Sequence, residues 1–241
     1  MCPDNRQHRG AHPADRKLFS ADQLPPLREA VADLSWLLGR GYSINSALKL
    51  AGDRYDLTLR QRLAVSRASC SDRQKDYRQN NRLTPDEIKG KSLAIDGFNL
   101  IVTMEAALSG GVLIGCRDGC IRDLSSVHGS YRAVEETERA IRVIGEALAQ
   151  KTSEQVLWLL DKPVSNSGRL AQKIRDLARE HNWPWAVDVV MNPDRELRSS
   201  DQIVVTSDSM ILDRPVKWVN LGATLIGEYV EQPWVVDLRG G

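Results

Sequence analysis

Four aspartates recur in one local setting, each just after a short apolar run. Ser92-Leu93-Ala94-Ile95 leads into Asp96-Gly97-Phe98-Asn99, and Gln155-Val156-Leu157-Trp158-Leu159-Leu160 ends in Asp161. A third run, 185–191, is followed by Asn192-Pro193-Asp194, and Gln202-Ile203-Val204-Val205-Thr206-Ser207 ends in Asp208, with Asp213 close behind. Carboxylates gathered closely repel one another unless protons or cations intervene. Oxygen ligands suit hard divalent ions, here Mg²⁺ or Mn²⁺. Such ions clamp phosphate oxygens and ready a water for in-line attack, which is phosphodiester hydrolysis. Taken singly, an Asp at such a position also serves as a helix cap or turn residue.

The acids can cooperate only if the apolar runs are neighbouring strands. From Lys91 onward strand-like and helix-like stretches alternate, the pattern of an α/β domain with a central, mostly parallel sheet. The C-terminal ends of its strands share one edge, about 4.8 Å apart, and ligands of open α/β sheets sit there. Gly97 reads as a tight-turn residue and 100–108 as the helix that follows. An insertion, 110–131, carries an Asp-Gly hairpin turn framed by Cys116 and Cys120, and 131–150 reads as a long amphipathic helix. Ser165, Asn166 and Ser167, with Arg169 just beyond, open another helix, where free N–H groups and the dipole form a seat for phosphate or serve only as caps. The segment 192–201 has little room for a full helix, which sets Asp194 apart from the other acids. A fifth strand at 217–220 and a closing helix at 223–230 complete the domain, and 234–236 is either a strand or surface chain.

The first third differs. Helices are expected over 20–38, with Pro25 and Pro26 in the first turn, over 44–52 after Ser43, and over 59–70 after Thr58, together a small module of helix-turn-helix character. Leu59, Leu63 and Cys70 would face its core, and Arg60 and Arg67 its outside. Arg54, Arg60, Arg62 and Arg67 can grip phosphates, or else form ion pairs with neighbouring acids. The division read from the chain is a basic helical module at 1–80, a connection at 81–90 within the polar stretch 71–90, and the α/β domain at 91–241. Residues 1–90 carry 16 Lys and Arg against 11 Asp and Glu, and the remainder 17 against 21. This asymmetry suits a front part that holds a polyanion and a rear part that holds cations.

A hydrophobic content of 41% and a charged content of 27% describe a globular chain, not a fibre or an acidic tail. The apolar runs fall far short of a membrane span and the N-terminus lacks the core of a signal peptide, so the expectation is a cytoplasmic protein without a membrane. Four cysteines are too few for a disulfide framework. A zinc site around Cys116 and Cys120 would have to recruit Cys70 or His128. His128, between Val127 and Gly129, reads more readily as a packed or turn histidine than as a general base.

Ile95-Asp96-Gly97-Phe98-Asn99, Asp161 and Val204-Val205-Thr206-Ser207-Asp208 resemble the motifs of PIN-like nucleases, especially the NYN branch. The chain as a whole resembles a two-part family in which a helical module containing Gly-Asp-Arg-Tyr and Arg-Gln-Arg precedes such a domain. The resemblance implies a PIN-like Rossmannoid domain acting as a Mg²⁺- or Mn²⁺-dependent RNA endonuclease. It implies Asp96, Asp161 and Asp208 as ligands, Asn99 supporting Asp96 or a phosphate, and Asp213, Asp194, Glu105 and Asp123 as second-rank candidates. RNA is the expected partner; the sequence leaves the oligomeric state open. Three other readings stay open: a PIN-like RNA-binding or regulatory protein without turnover, a DNA-binding regulator using the helical module, and a haloacid dehalogenase-type phosphatase. The last needs a second Asp two residues after its nucleophile, where this chain has Phe98.

Overall fold

The computed structural model describes residues 8–125, 129–151 and 154–240. His128 lies outside the described residues. The chain opens with α1 (Asp15–Leu18), α2 (Leu24–Gly39), α3 (Ile44–Arg54), α4 (Leu59–Ala68) and α5 (Asp72–Asn81). Sequence chemistry sets their starts. Two prolines occupy the first turn of α2, Ser43 Oγ accepts the Ser46 N–H, and Thr58 and Ser71 form reciprocal capping boxes with Gln61 and Gln74. The second of these boxes turns the polar stretch expected to connect the two parts into a helix. The inward face of α4 also differs from expectation, because Leu59 is 87% exposed while Gln61, Ala64, Val65 and Ala68 are buried. Small side chains let α4 lie close against α2, and the Gln61 amide is satisfied by the Leu18 carbonyl.

The α/β part follows as β1 (Arg82–Leu83), β2 (Leu93–Asp96), α6 (Gly97–Leu108), β3 (Leu113–Gly115), β4 (Ile121–Asp123), α7 (Thr137–Gln150), β5 (Val156–Asp161), α8 (Ser167–Glu180), β6 (Trp185–Val190), α9 (Pro193–Arg198), β7 (Ile203–Val205), α10 (Ser209–Leu212), β8 (Trp218–Val219), α11 (Leu221–Tyr229) and β9 (Val235–Asp237). Six strands form one sheet in the order β1-β8-β7-β2-β5-β6, every pair parallel. The fold is therefore mixed α/β with a helical front end, as the alternation predicts. Its strands read as unbroken apolar runs because both faces are covered. Leu93, Ile95, Val156, Trp158 and Leu160 enter the core beneath α6, α7, α8 and α11, while Ala94, Leu159 and Val204 pack with α9 and α10 on the other face.

Three expectations need correction. The segment 192–201 does form a helix, α9, which six residues suffice to build once Asn192 caps the Arg195 N–H and Pro193 starts the turn. The long helix after the insertion begins only at Thr137; Tyr131 is instead a buried side chain whose hydroxyl donates to Glu105. Gly97 has no left-handed backbone. Glycine is required there by close approach, since a Cβ would stand 2.5 Å from a Leu160 methyl and 2.9 Å from the Leu159 carbonyl.

The insertion hairpin and β9 make a second sheet, ordered β4-β3-β9, whose Val112, Ile114, Val236 and Leu238 share a core with Leu27, Val31, Leu34, Ala64 and Val65 of the helical front end. Residues 81–90 are likewise more than a tether, because Arg82 and Leu83 pair with Trp218 and Val219 as an edge strand and Ile88 is fully buried. Two-residue strands carry too little periodicity to be read from a sequence. No helix among the described residues is long and apolar enough to cross a membrane.

Candidate functional site

From β2 the chain builds outward through β5 and β6, then returns to the opposite side of β2 with β7 and β8. Beyond the C-terminal ends of β2 and β7 lies the switch point of the sheet, where doubly wound folds form their binding crevice. Asp96 ends β2 and caps α6 through the Asn99 N–H at 3.4 Å, so the cap and the site share one carboxylate. The Thr206 hydroxyl donates to Asp96 Oδ2 at 2.8 Å and accepts the Asp208 N–H at 3.0 Å. Asp208 caps α10, accepting the Met210 N–H at 2.6 Å. The Asn99 side chain does not reach Asp96; its Oδ1 accepts the Ser207 N–H and hydroxyl, which ties the β7 rim to α6.

Asp96, Asp161, Asp194 and Asp208 line one cavity of about 340 Å³ together with Phe98, Asn99, Arg67, Arg122 and Asp123. Strand parity explains their common direction. Asp96 follows the face of Ala94 and Asp161 that of Leu159, both toward α9, whose first turn carries Asp194. Register spreads them: Asp96 pairs with Leu159, so Asp161 sits two residues further along the neighbouring strand. The acids accordingly ring the cavity. Among the described residues no three His, Cys, Asp or Glu side chains are gathered tightly enough to form a metal site on their own.

The electrostatics are those of acids short of counter-charge. Burial pushes Asp96 up to about 7; the Asp208 and Asp194 charges add to this, against the Thr206 hydroxyl and Asn99 N–H. Asp161 is raised by burial and by Asp194, and Asp194 by burial and by Asp208, with Arg198 opposing. Asp194 pairs with Arg198 at 3.3 Å, whereas Asp96, Asp161 and Asp208 form no ion pair with any described residue. The donors are all carboxylate, hydroxyl and amide oxygens, a set that fits a hard divalent ion and not a soft one.

Arginines make the opposite wall. Arg67 donates to the Asp123 and Ser125 carbonyls and Arg122 to the Ser207 carbonyl at 2.7 Å, one residue before Asp208. Behind them, Asp118 accepts from Arg78 at 2.7 Å and from Arg122 at 2.6 and 3.1 Å, all three residues being buried. Arg122 and Asp118 are the members of this surround that the sequence does not disclose. They sit in a hairpin whose local pattern announces only a turn, and their partners are distant along the chain.

Several residues expected at the site are elsewhere. Asp213 is held by Arg78 at 2.8 Å and Gln74 at 2.7 Å and lines a different cavity. Glu105 is buried among Tyr131, Thr137 and Arg9. Asp123 does border the cavity, but its oxygens accept from Thr103 and Ser125. Of the four arginines expected to contact nucleic acid, only Arg67 lies at the cavity. Arg54 pairs with Asp33, Arg60 with buried Asp15, and Arg62 with Asp53 and the Leu57 carbonyl. Asn166 and Arg169 line a neighbouring cavity of about 450 Å³ with Tyr131 and Lys173; Ser167 is buried, and Ser165 bridges to Ser130. Burial raises Cys70, Cys116 and Cys120 above the ordinary thiol range, and among the described residues they form no metal-binding group.

With this geometry in place, the comparisons with known proteins bear on the whole chain. Residues 85–224 match the model described as Domain of unknown function (DUF5616), and residues 26–80 match the one described as Protein of unknown function (DUF434). The chain is 34% identical over 206 residues to Uncharacterized protein MJ0935 of Methanocaldococcus jannaschii, an alignment covering 85% of this chain and 97% of that protein. No solved structure matches the chain. A match spanning most of the α/β part, together with a relative aligned across both parts, establishes that the chain belongs to the DUF5616 family.

Proposed function

We propose that the protein is a Mg²⁺- or Mn²⁺-dependent ribonuclease that hydrolyses phosphodiester bonds at the switch-point cavity. The observation that carries this reading is that Asp96, Asp161 and Asp208 line one cavity and have no cationic partner among the described residues. Asp96 and Asp208, which share the Thr206 hydroxyl, would hold the ion, with Asp161 and Asp194 on the same cavity wall, and Mg²⁺ is often bound by one or two carboxylates plus substrate phosphate. The bound ion would supply charge neutralisation at the phosphate and a more acidic water. The chain itself does the positioning. Thr206 fixes Asp96, Asn99 and Arg122 hold the Ser207 backbone from two sides, and Arg67 offers positive charge at the mouth for an incoming phosphate.

The test is incubation of the full chain with single-stranded and structured RNA in Mg²⁺, Mn²⁺ or EDTA. Cleavage is expected with metal, none in EDTA, and at least about 100-fold less in Asp96→Asn and Asp208→Asn, since a catalytic ion contributes several kcal/mol. Cleavage that persists in EDTA or in Asp96→Asn would overturn the assignment. A second reading, RNA binding without turnover, draws on the absence of a ready-made three-acid cluster among the described residues, and binding without cleavage under every metal condition would select it.

A further inference from the structure

A second cavity is larger than the acidic one. About 670 Å³ in volume, it opens between the C-terminal end of α2, the outer face of α5 and the end of α10, and Tyr42, Tyr77, Arg73, Gln74, Gly41 and Asp213 line it. Tyr42 is 52% exposed and Tyr77 37%. Rings left in water at that level serve no core. Neither tyrosine hydroxyl nor the Arg73 guanidinium bonds any described residue, whereas Arg54, Arg60, Arg62, Arg67 and Arg78 are all engaged.

The rings are presented, not merely exposed. Gly41 takes a left-handed turn at φ 84, and its N–H and that of Tyr42 bond back to the Leu38 and Leu37 carbonyls, which ends α2 and fixes where Tyr42 stands. Tyr77 sits on α5, whose position is set by Arg78 beneath it, bonded to Asp118 and Asp213. At the C-terminal end of α2, two residues before Tyr42, the Arg40 guanidinium stacks over the exposed Trp36 ring at 4.6 Å.

This cavity adjoins the acidic one through a single short helix. Asp208, on the acidic rim, caps the start of α10, and Asp213, on the wall of the tyrosine cavity, ends it. Five residues at 1.5 Å each place the two about 7–8 Å apart, roughly two stacked nucleotides at about 3.4 Å. Half-exposed Met210 lies on the span between them.

We infer that the Tyr42–Tyr77–Arg73 cavity is a base-stacking subsite for single-stranded RNA, its nearest wall, at Asp213, about two nucleotide steps from the acidic rim. The inference rests on the nuclease reading for the identity of the strand. Stacking on aromatic rings needs bases splayed from a helix, and Arg73 answers the backbone charge between them, so the site selects single strands over duplex.

The experiment is binding of a fluorescein-labelled twelve-nucleotide single-stranded RNA to the full chain in EDTA, beside the same sequence as a duplex, followed by cleavage in Mn²⁺. Tyr42→Ala and Tyr77→Ala are each expected to bind the single strand about 5- to 100-fold more weakly. Tyr42→Phe and Tyr77→Phe keep the ring and should bind as the parent does. Arg73→Gln should lower the salt dependence by about one ion. Unchanged far-ultraviolet circular dichroism and melting verify that the variants fold, and Tyr42→Leu and Tyr77→Leu, which keep bulk without a ring and should weaken binding as the Ala pair does, carry the test if an Ala variant does not fold. Binding unchanged in both Ala variants while the strand is still cut overturns the subsite and leaves the nuclease. Stacking-dependent binding without cleavage does the reverse. Preference for the duplex, or no binding at all, overturns the subsite outright.

Discussion

Asp118→Ala is the sharpest test of how the site is held. The carboxylate is 1% exposed and accepts four hydrogen bonds, from Arg78 Nη1 at 2.7 Å, Arg122 Nη2 at 2.6 Å, Arg122 Nη1 at 3.1 Å and the Cys120 N–H at 3.1 Å. Arg78 keeps Asp213 after the substitution, but Arg122 has no other acid within ion-pair distance and keeps only the Ser207 and Arg67 carbonyls. Leaving a buried charge without its partner costs about 3–5 kcal/mol. For a chain of this length that is a fall in Tm of roughly 6–20 °C, at about 2–4 °C per kcal/mol. The arginines beside it hold the Asp118 carboxyl well below the usual carboxylate range despite burial. A depressed folded-state value means the stabilisation is full above the unfolded value near about 4 and is lost as pH falls through the folded one. Denaturant melts of the parent and of Asp118→Ala between pH 3 and 8 should therefore differ by a constant amount down to about pH 5 and by progressively less below about pH 4. A loss under about 1 kcal/mol at pH 7, or a gap that widens on acidification, would refute this account of the buried triad.

Two further outcomes follow from the rim. If the acids take up an ion, Mn²⁺ at a hundred times its Kd should stabilise the parent by about 2.7 kcal/mol, and the shift should vanish when Asp96, Asp161 and Asp208 are all Asn; an equal shift in that variant would place the ion elsewhere. Gly97→Ala forces a methyl to within 2.9 Å of the Leu159 carbonyl, so differential scanning calorimetry should show a loss of about 1–3 kcal/mol from overpacking, and an unchanged Tm would mean β2 and β5 are freer to move apart than their pairing implies.

The sequence discloses most where the physics is local. Apolar runs buried on both faces, Ser43 and Thr58 as caps, and the acids just beyond β2, β5 and β7 are all visible without coordinates, and those three acids line one cavity at the edge where a parallel sheet would bring them. Asp194 joins them because Asn192 and Pro193 start a six-residue helix in a segment with little room for a full one. Leu59 misleads because hydrophobicity says what is favourable to bury, while small residues on α4 decide which face can approach α2. The arginines mislead for another reason. Their number is local information, but whether each is already neutralised depends on acids far away, as with Asp15 for Arg60 and Asp213 for Arg78.

The interior that α2 and α4 share with β3 and β9, reinforced by the edge strand at Arg82 and Leu83, leaves the two family segments no joint about which to swing. Neither could be inherited, expressed or exchanged alone without baring an unfinished apolar face. It also leaves the interval from Asp213 to Asp208 a ruler cast when the chain folds, the constant offset that the proposed subsite requires.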